Sequence, residues 1–549
     1  MQQHYPTIVD QFCKFEQEKK DLLFLSEPVN SVYQNFTWGE AGNEIRSMAA
    51  WLQSSGLQKG DRVAILSKNC AHWIMADLAI AMAGMVSVPL YPNIAADSVR
   101  EILIHSESKL IFVGKLDNPL DIRKGIPETI TQVSFPFYFN EGCLNWNSLV
   151  QQDTAPLKGL PETDPNAVCC IIYTSGTTGQ PKGVMHSFHG ISFAVYSFLK
   201  SNPPIENEIF FSYLPLCHVA EKMLVECGTI FTGSTVYFVE SLNTFSKNLQ
   251  HTRPTIFLAV PRIWEKMQEE ILKKIPQARL NLLLRIPVIS GLIKKAIHKK
   301  LGLGRCKYLY TGASPINPAV LEWFARLGLI IQEAYGMTEN AALSHSNRRA
   351  FVKFGTVGQS YPGVSVKLGK DNEVLVKSEA SMLGYYKEPE LTAAMFEGDW
   401  LKTGDEGSID ADGFLTITGR IKDQFKTSKG KYIIPAQIES RILTHPYISQ
   451  ACIVGAGMPA PLLLCTLSEK ARIQEKPSVL QHLQELLNKV NTQLERHEQI
   501  ARLIILHEEW TVDNGILTPT LKIKRKVIDT LFQQYYTAWY NLQHPVAFT

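Results

Sequence analysis

Residues 168–183, which read VCCIIYTSGTTGQPKG, are the most informative segment of this protein. The apolar residues 168–173 predict a buried strand, and the glycine- and hydroxyl-rich residues after it predict a loop. Glycine lets backbone N–H groups approach a phosphate closely, while hydroxyl groups and a lysine add donors. No GK[ST] sequence ends the segment, which excludes a Walker A loop. We therefore predict another kind of phosphate-binding loop, formed by Thr174, Ser175, Gly176, Thr177, Thr178, Gly179 and Lys182.

Helices and strands alternate around this segment. Residues 41–55 place apolar side chains at helical spacing, RVAIL at 62–66 predicts a buried strand, a helix begins near Ala71, and VSVPLY at 86–91 predicts another strand. Strands separated by helices tend to pair in parallel and to be covered on both faces. We therefore predict a layered α/β domain with a largely parallel core sheet.

A domain boundary is predicted near residue 420. The residues before it, TGDEGSIDADGFLTITGR, are typical of turns and short strands, and a charged segment follows. We predict a large N-terminal domain over 1–420 and a small α+β domain over 421–549. Within the small domain, the expected elements are a helix at 435–443, a strand at 451–457 and a helix at 478–494.

Composition excludes several classes of protein. Of 549 residues, 45% are hydrophobic and 19% are charged, which argues against disordered, collagen-like and coiled-coil chains. The net charge of +3 gives no indication of nucleic-acid binding. The ten cysteines form no CxxC pair, and the N-terminal residues lack the apolar core of a secretory signal. We expect a cytoplasmic protein with reduced thiols, and any membrane contact to be peripheral, on the inner face of the membrane.

Further motifs follow the loop along the chain. They are LPLCHVAEK (214–222), VPRIWEK (260–266), TGASPI (311–316), EAYGMTEN (333–340), WLKTGDEG (400–407), GRIKDQFKTSKGKYIIPAQIE (419–439) and NGILTPTLKIKRK (514–526). In this order they resemble the adenylate-forming enzymes, which comprise acyl-CoA synthetases, luciferases and the adenylation domains of peptide synthetases. The resemblance covers nearly the whole chain, and LPLCHVAEK, VPRIWEK and TPTLK look most like the long-chain fatty acid branch. It implies ATP, Mg²⁺ and CoA as cofactor and co-substrates, and a mobile C-terminal lid domain.

The resemblance also assigns the nucleotide-binding residues. A carboxylate beside a hydroxyl suits Mg²⁺ and phosphate, and the resemblance gives Glu339 to the metal and Thr338 to the phosphate. An ionised carboxylate only accepts hydrogen bonds, so Asp405 suits ribose hydroxyls, with Arg420 as the opposing donor. The adenine-lining positions of the family correspond to Gly312, Ala313, Tyr335 and Gly336.

Four further residues are assigned to catalysis by the resemblance. It places His218 between the acyl and adenylate pockets, although a fatty carboxylate is already ionised at pH 7 and needs no base. Lys522 would reach the junction of carboxylate and α-phosphate, with Lys524 as the alternative two residues later. The resemblance makes Lys422 the hinge between the two domains, and Lys429 the lysine that reaches the site after rotation.

The predicted reaction is the ATP-dependent conversion of a long-chain fatty acid to acyl-AMP and then to acyl-CoA. Two alternatives stay open. The acyl group could pass to the phosphopantetheine of a carrier protein, which presents the same thiol as CoA. The chain could also be a membrane-associated fatty-acid binding module without activity. The sequence predicts neither the acyl chain length nor an oligomeric state.

Residues 273–305 form a basic segment that needs no family to be noticed. They include nine Lys and Arg and no Asp or Glu. The residues Leu282, Ile286, Ile289, Ile293, Ile297 and Leu301 make a near-helical apolar stripe that Pro287 would interrupt. Two interpretations stay open, which are peripheral contact with an anionic membrane and a surface helix that packs its stripe on the domain.

Overall fold

The computed structural model describes residues 5–138, 140–152, 155–159, 161–175, 181–202, 207–512, 514–518 and 522–549. Its helices, in chain order, are α1 Ile8–Glu18, α2 Trp38–Ser54, α3 Ala71–Met82, α4 Ala96–Ser106, α5 Pro119–Ile122, α6 Trp146–Val150, α7 Phe188–Ser201, α8 Val219–Glu221, α9 Gly228–Thr232, α10 Phe245–Thr252, α11 Pro261–Lys274, α12 Gln277–Arg285, α13 Pro287–Leu301, α14 Pro318–Arg326, α15 Pro389–Ala394, α16 Pro435–Ile442, α17 Glu469–Arg472, α18 Lys476–Asn491, α19 Arg525–Phe532 and α20 Tyr536–Tyr540. Short 3-10 helices span Arg123–Gly125, Thr338–Asn340, Lys370–Asn372, Ile421–Asp423 and Gln533–Tyr535, and a π-helix spans Lys222–Cys227.

The strands, in chain order, are β1 Leu23–Val29, β2 Val32–Thr37, β3 Arg62–Leu66, β4 Val86–Leu90, β5 Leu110–Val113, β6 Thr131–Ser134, β7 Leu144–Asn145, β8 Val168–Ser175, β9 Pro181–Ser187, β10 Ile209–Ser212, β11 Thr235–Phe238, β12 Ile256–Ala259, β13 Tyr308–Thr311, β14 Ile331–Tyr335, β15 His345–Ser346, β16 Gln359–Ser360, β17 Ser365–Leu368, β18 Glu373–Lys377, β19 Gly384–Tyr385, β20 Phe396–Glu397, β21 Trp400–Ile409, β22 Leu415–Arg420, β23 Phe425–Lys426, β24 Tyr432–Ile433, β25 Ile448–Val454, β26 Leu462–Leu467, β27 Arg502–Leu506 and β28 Val546–Phe548.

The chain divides into two compact units. The first contains residues 1–313, 320–365 and 376–401, and the second contains 314–319, 366–375 and 402–549. The first unit holds two large sheets, in the orders β16-β15-β14-β13-β12-β10-β11-β1-β2 and β19-β9-β8-β4-β3-β5-β6-β7. Most neighbours in both sheets are parallel, and antiparallel strands lie toward the ends. The predicted layered α/β architecture is therefore confirmed.

The second unit is a smaller α+β assembly. Its sheet runs β25-β26-β27-β28, with an antiparallel first pair and two parallel pairs after it. Helices α16 and α18 cover one face of this sheet through a core that includes Ile438, Leu463, Leu483 and Leu503, all fully buried. Because helix α18 is apolar on one face only, it packs on the sheet with its polar face exposed.

Most predicted elements lie close to their expected positions. The strand at 62–66 is β3, the helix near Ala71 is α3, and the C-terminal elements correspond to α16, β25 and α18. The segment before 420 differs, because it forms the ten-residue strand β21, which is longer than the short strands that we expected. Buried and less buried residues alternate along β21, but the buried ones include the polar Thr403 and Asp405. Because some of the buried residues are polar, the sequence of β21 lacks the alternation of apolar and polar residues from which a strand is predicted.

Candidate active site

The predicted phosphate loop connects two antiparallel strands of the first unit. Strand β8 pairs with β9 up to Thr174↔Lys182 and Ser175↔Pro181. Lys182 was predicted to lie in the loop, but it is the second residue of β9. The reason is that the pairing of β8 with β9 continues past Lys182 to Pro181. The predicted residues Gly176, Thr177, Thr178 and Gly179 lie outside the described residues.

Tyr385 connects two of the predicted site residues. Strand β19 pairs with β9, which sets Tyr385 opposite Val184. The Tyr385 hydroxyl donates a hydrogen bond to Oε1 of Glu339 at 2.7 Å, and Nζ of Lys182 lies 5.5 Å from the centre of the tyrosine ring. Burial and the Glu339 carboxylate raise the pKa of Tyr385, which keeps its hydroxyl protonated as a donor. The structure thus brings Lys182 and Glu339 against one buried tyrosine.

The backbone around Thr338 and Glu339 is held at both carbonyl groups. The ring nitrogen Nε2 of His186 lies 2.7 Å from the Thr338 carbonyl oxygen. Burial lowers the pKa of His186 to about 4, so its imidazole is neutral at pH 7 and Nε2–H is the donor. The amide of Met382 donates to the Glu339 carbonyl oxygen at 2.7 Å. These bonds fix the 3-10 turn that presents the Glu339 carboxylate.

The four predicted adenine-lining residues lie at the carboxyl ends of two neighbouring strands of the nine-stranded sheet. Gly312 and Ala313 follow β13, while Tyr335 ends β14 and Gly336 follows it. Strands β13 and β14 are parallel neighbours, so their carboxyl ends lie side by side. Ligands of α/β proteins commonly bind outside the carboxyl ends of such strands.

Close backbone approaches explain two glycines at this edge. A Cβ atom on Gly312 would lie 2.8 Å from the carbonyl oxygen of Ala334, and one on Gly336 would lie 2.4 Å from the backbone carbonyl of Ala342. Both distances are shorter than a non-bonded contact permits. Ala313 has a φ of 66°, which is a strained left-handed conformation for a residue other than glycine. Strain of this kind clusters at functional sites.

His218 begins the short helix α8. Its Nδ1 accepts a hydrogen bond from the amide of Ala220 at 3.2 Å, so the side chain caps the helix. The same turn is anchored by buried groups, since Oε1 of Glu221 accepts from the Ser212 hydroxyl at 2.9 Å and Asn69 donates to the same hydroxyl at 2.7 Å. Burial raises the pKa of Glu221 to about 8. His218 thus has a structural role as a cap, and its position beside the acyl pocket stays a prediction.

In the second unit, Asp405 and Arg420 face each other across an antiparallel pair of strands. They are register partners of β21 and β22, and Nε of Arg420 lies 3.1 Å from Oδ1 of Asp405. Asp405 is buried, and its amide donates to the Thr403 hydroxyl at 3.1 Å, while Arg420 is half exposed. The structure therefore pairs the predicted acceptor and donor directly.

The predicted hinge and its neighbouring lysine lie on exposed turns. Lys422 is in the 3-10 helix Ile421–Asp423, immediately after β22. Lys429 is in the turn between β23 and β24, which Gly430 closes with a φ of 74° and a hydrogen bond from its backbone N–H to the Thr427 carbonyl oxygen. Neither lysine is held inside the unit by burial.

Lys522 and Lys524 have different surroundings. Residues 517 and 523 are partners in an antiparallel bridge, and the amide of Lys522 donates to the Thr518 hydroxyl at 3.0 Å. The side chain of Lys522 is exposed, whereas Lys524 is half-buried and begins helix α19 as its N-cap. Of the two lysines, Lys522 is the more exposed residue.

Arg525 shows that the basic run after Thr518 is not uniformly solvated. Its guanidinium contacts the Glu439 carboxylate and lies 3.4 Å from Oδ2 of Asp423. The amide of Ile453 donates to the other Glu439 oxygen at 2.6 Å. Arg525 therefore joins helix α19 to helix α16 and to the segment that contains Lys422.

Sequence reasoning missed Tyr385 and His186, as well as a buried charge cluster. Lys222, the first residue of the π-helix, lies 2.7 Å from Asp77 and 3.1 Å from Glu226, and all three are buried. Burial and the Asp77 carboxylate raise the pKa of Glu226 well above its usual range. Lys222 ends the motif LPLCHVAEK, but no local signal indicates its distant partner. A π-helix often marks a functional segment.

Comparison with known proteins identifies the family. The family described as AMP-binding enzyme matches residues 15–386, and the AMP-binding enzyme C-terminal domain matches residues 422–544. This chain belongs to the AMP-binding enzyme family. The resemblance that the motifs indicated is thereby confirmed, and the protein is an adenylate-forming ligase of the acid–thiol class.

Relatives of this AMP-binding enzyme match along most of their length. The long-chain-fatty-acid–CoA ligase FadD15 of Mycobacterium bovis is 30% identical, with 96% of each chain covered. The long-chain-fatty-acid–CoA ligase ACSBG2 of Xenopus laevis is 27% identical, covering 95% of this chain and 82% of that protein.

Solved structures agree in fold. The anthranilate CoA ligase AuaEII with anthranoyl-AMP has a TM-score of 0.81 at 20% identity, covering 97% of this chain and 98% of that one. The Bacillus subtilis o-succinylbenzoate CoA synthetase MenE with ATP and magnesium has a TM-score of 0.73 at 22% identity, covering 94% and 98%.

Glu339 fits the donor set that Mg²⁺ needs in an AMP-binding enzyme. Among the described residues, no group of three or more His, Cys, Asp or Glu could form a closed metal site. Mg²⁺ is usually bound by one or two carboxylates together with substrate phosphates. Glu339 offers one carboxylate that the Tyr385 hydroxyl orients, with Lys182 near the ring of the same tyrosine. This matches the requirement, because the bound nucleotide would supply the other Mg²⁺ ligands.

Proposed function

We propose that this protein is an ATP-dependent long-chain fatty acid–CoA ligase that releases AMP and pyrophosphate. The observation that carries the proposal is the contact of Tyr385 with both Glu339 and Lys182, beside a Thr338 backbone that His186 holds. This arrangement suits a bound triphosphate. The long-chain specificity is supported by the relatives that match over most of their length, which bear that name.

In the proposed first half-reaction, a carboxylate oxygen of the fatty acid attacks the α-phosphorus of ATP. A new P–O bond forms, the bond to the β-phosphate oxygen breaks, and pyrophosphate leaves. Lys182 and the Thr338 hydroxyl would bind phosphate oxygens, and Glu339 would hold Mg²⁺, which neutralises phosphate charge when it is bound. We assign the loop residues Thr174, Ser175, Gly176, Thr177, Thr178 and Gly179 to the same phosphates.

We assign the adenine and the ribose of the nucleotide to separate sets of the predicted residues. Gly312, Ala313, Tyr335 and Gly336 would leave a flat surface for adenine at the sheet edge. Asp405 would accept from the ribose hydroxyls, and the Arg420 guanidinium would donate beside it. Lys522 would stabilise the negative charge that builds where carboxylate and α-phosphate meet.

In the proposed second half-reaction, the CoA thiolate attacks the acyl carbonyl carbon, a C–S bond forms, and AMP leaves with the carboxyl oxygen. We propose that rotation at Lys422 replaces Lys522 with Lys429 between the two steps. His218 is proposed to border the acyl group, and no proton transfer is required of it. We propose the domain division at 420–421 as the boundary of this motion.

The decisive test is pyrophosphate release with a series of carboxylates from acetate to eicosanoate. We expect the highest kcat/KM with long unbranched acids, and a preference for short or aromatic acids would contradict the long-chain proposal. Free CoA and a phosphopantetheinylated carrier protein should then be compared as acceptors, where CoA alone should give thioester. No pyrophosphate release from ATP and oleate would instead support a binding module.

A further inference from the structure

The apolar surface that the basic segment 273–305 exposes coincides only in part with the stripe that the sequence indicates, since Leu282 and Ile286 belong to both. Of the predicted stripe, Ile297 is buried and Ile289 and Ile293 are half-buried, so this part packs on the domain. Helix α12 ends before Pro287 and α13 begins at it, as the proline predicts. One of the two open interpretations, a helix packed by its stripe, therefore holds for the inner face of α13.

The outer face of α13 is apolar at one end and basic at the other. Val288 is 76% exposed and Leu292 is 64% exposed, and Lys295 and Lys299 are exposed after them. At 100° per residue, these four positions lie within about 60° of each other around the helix. Ile297 lies on the opposite side, which agrees with its burial. The outer face is therefore a single surface.

Helix α12 also exposes an apolar residue and a basic residue. Leu282 is 61% exposed, and Arg285, one turn later, is exposed as well. Ile286, the one residue between α12 and α13, is 43% exposed. We name the surface formed by Leu282, Ile286, Val288, Leu292, Lys295 and Lys299 the α12–α13 surface.

We infer that the α12–α13 surface binds an anionic lipid bilayer. Exposed large apolar side chains beside lysine and arginine are the combination that inserts into a headgroup layer while the cations meet lipid phosphates. A second copy of the chain is a poor partner, because the segment has nine basic and no acidic residues and would face its own charge. Among the described residues, no helix is long and apolar enough to cross a membrane.

None of these residues belongs to the candidate active site, so membrane binding and ligase activity are separable. The test is cosedimentation with vesicles of phosphatidylcholine, with and without phosphatidylglycerol. We expect binding to the mixed vesicles only, and loss of that binding at high salt, where surface charges are screened. Equal binding to both vesicles, or to neither, would overturn the inference.

Two variants test the surface itself. The pair Lys295→Glu and Lys299→Glu should lower the partition coefficient at least about 25-fold, at roughly fivefold for each lysine. The pair Val288→Asn and Leu292→Asn should also lower it, without changing charge. The matched control is Lys59→Glu with Lys109→Glu, two exposed lysines elsewhere in the first unit, which should bind like the wild type.

Each variant should release pyrophosphate at the wild-type rate from a fatty acid kept below its solubility limit. If the control pair loses binding as strongly as the α13 pair, general charge explains the effect and the site is wrong. If the wild type is dimeric by light scattering and Val288→Asn with Leu292→Asn makes it monomeric, the surface is an interface between copies. The salt and lipid comparison with the wild type decides whether the protein binds an anionic bilayer, and either of the two α13 pairs locates that binding if the other pair does not fold.

Discussion

Replacing Tyr385 with phenylalanine removes one hydroxyl and leaves the ring beside Lys182 in place. That hydroxyl donates to the Glu339 carboxylate at 2.7 Å from a side chain that is only 4% exposed. A hydrogen bond to a charged group contributes about 1.5–3 kcal/mol. If the bond orients Glu339 for Mg²⁺, its loss should lower kcat/KM for ATP by about 10- to 150-fold.

The assay is pyrophosphate release measured over a range of Mg²⁺ concentrations. Tyr385→Phe should require more Mg²⁺ for half-maximal rate, while its melting temperature stays near that of the wild type. Glu339→Ala should lose the Mg²⁺-dependent rate more severely, because it removes the proposed metal ligand itself. Tyr385→Leu should fall below Tyr385→Phe, since the ring beside Lys182 is also lost.

The neighbouring tyrosine supplies a matched control. The hydroxyl of Tyr386 donates to Oε2 of Glu107 at 3.1 Å, near the surface and outside the site. Tyr386→Phe should therefore keep the wild-type rate and Mg²⁺ dependence. A Tyr385→Phe enzyme with an unchanged Mg²⁺ requirement would refute the positioning role, and equal effects of both substitutions would show that the loss is not specific.

Three further predictions concern the second unit and the pH dependence of stability. Lys522→Ala should lose acyl-AMP formation from fatty acid and ATP by about 10²–10³-fold, yet still make acyl-CoA from synthetic acyl-AMP. Lys524→Ala should keep both half-reactions near the wild-type rate, and loss of acyl-AMP formation in Lys524→Ala rather than in Lys522→Ala would move the assignment to Lys524. Lys422→Pro should form acyl-AMP but stall before the thioester, and equal loss of both steps would contradict a hinge. Burial raises the pKa of Glu333 to about 8, above the usual ~4.3 of an unfolded chain. Its neutral form is therefore favoured by folding, and that stability is lost as pH rises toward 8. Glu333→Gln should raise the melting temperature at pH 9 and have little effect at pH 4, and parallel melting curves across pH would disprove this.

Local patterns predicted the fold well where the inner residues are apolar. Strand β3 and helix α3 match their predicted positions because each is a short apolar run or a helical repeat. Strand β21 is longer than predicted because its buried residues include the polar Thr403 and Asp405, and Asp405 is paired with Arg420. A prediction based on the spacing of hydrophobic residues does not detect such a strand.

The candidate site was predicted as residue types in motifs, and its geometry was not. Glu339 and Lys182 were both identified, but the residue that contacts them, Tyr385, belongs to a two-residue strand that pairs with β9. Such a contact depends on tertiary pairing between distant segments, which no local period records. The apolar stripe at 273–305 shows the same limit, because helical spacing does not say which of two apolar faces packs inward.

The half-buried ion pairs of Arg525 have a mechanical consequence. One guanidinium holds Asp423, next to the proposed pivot Lys422, and Glu439 of helix α16, while its own backbone begins the helix that follows Lys522. Ion pairs of Arg525 therefore connect the segment that contains Lys422 to the segment that contains Lys522, within the second unit. If the proposed rotation takes place at Lys422, Asp423, helix α16 and the segment that carries Lys522 would therefore move together as one body.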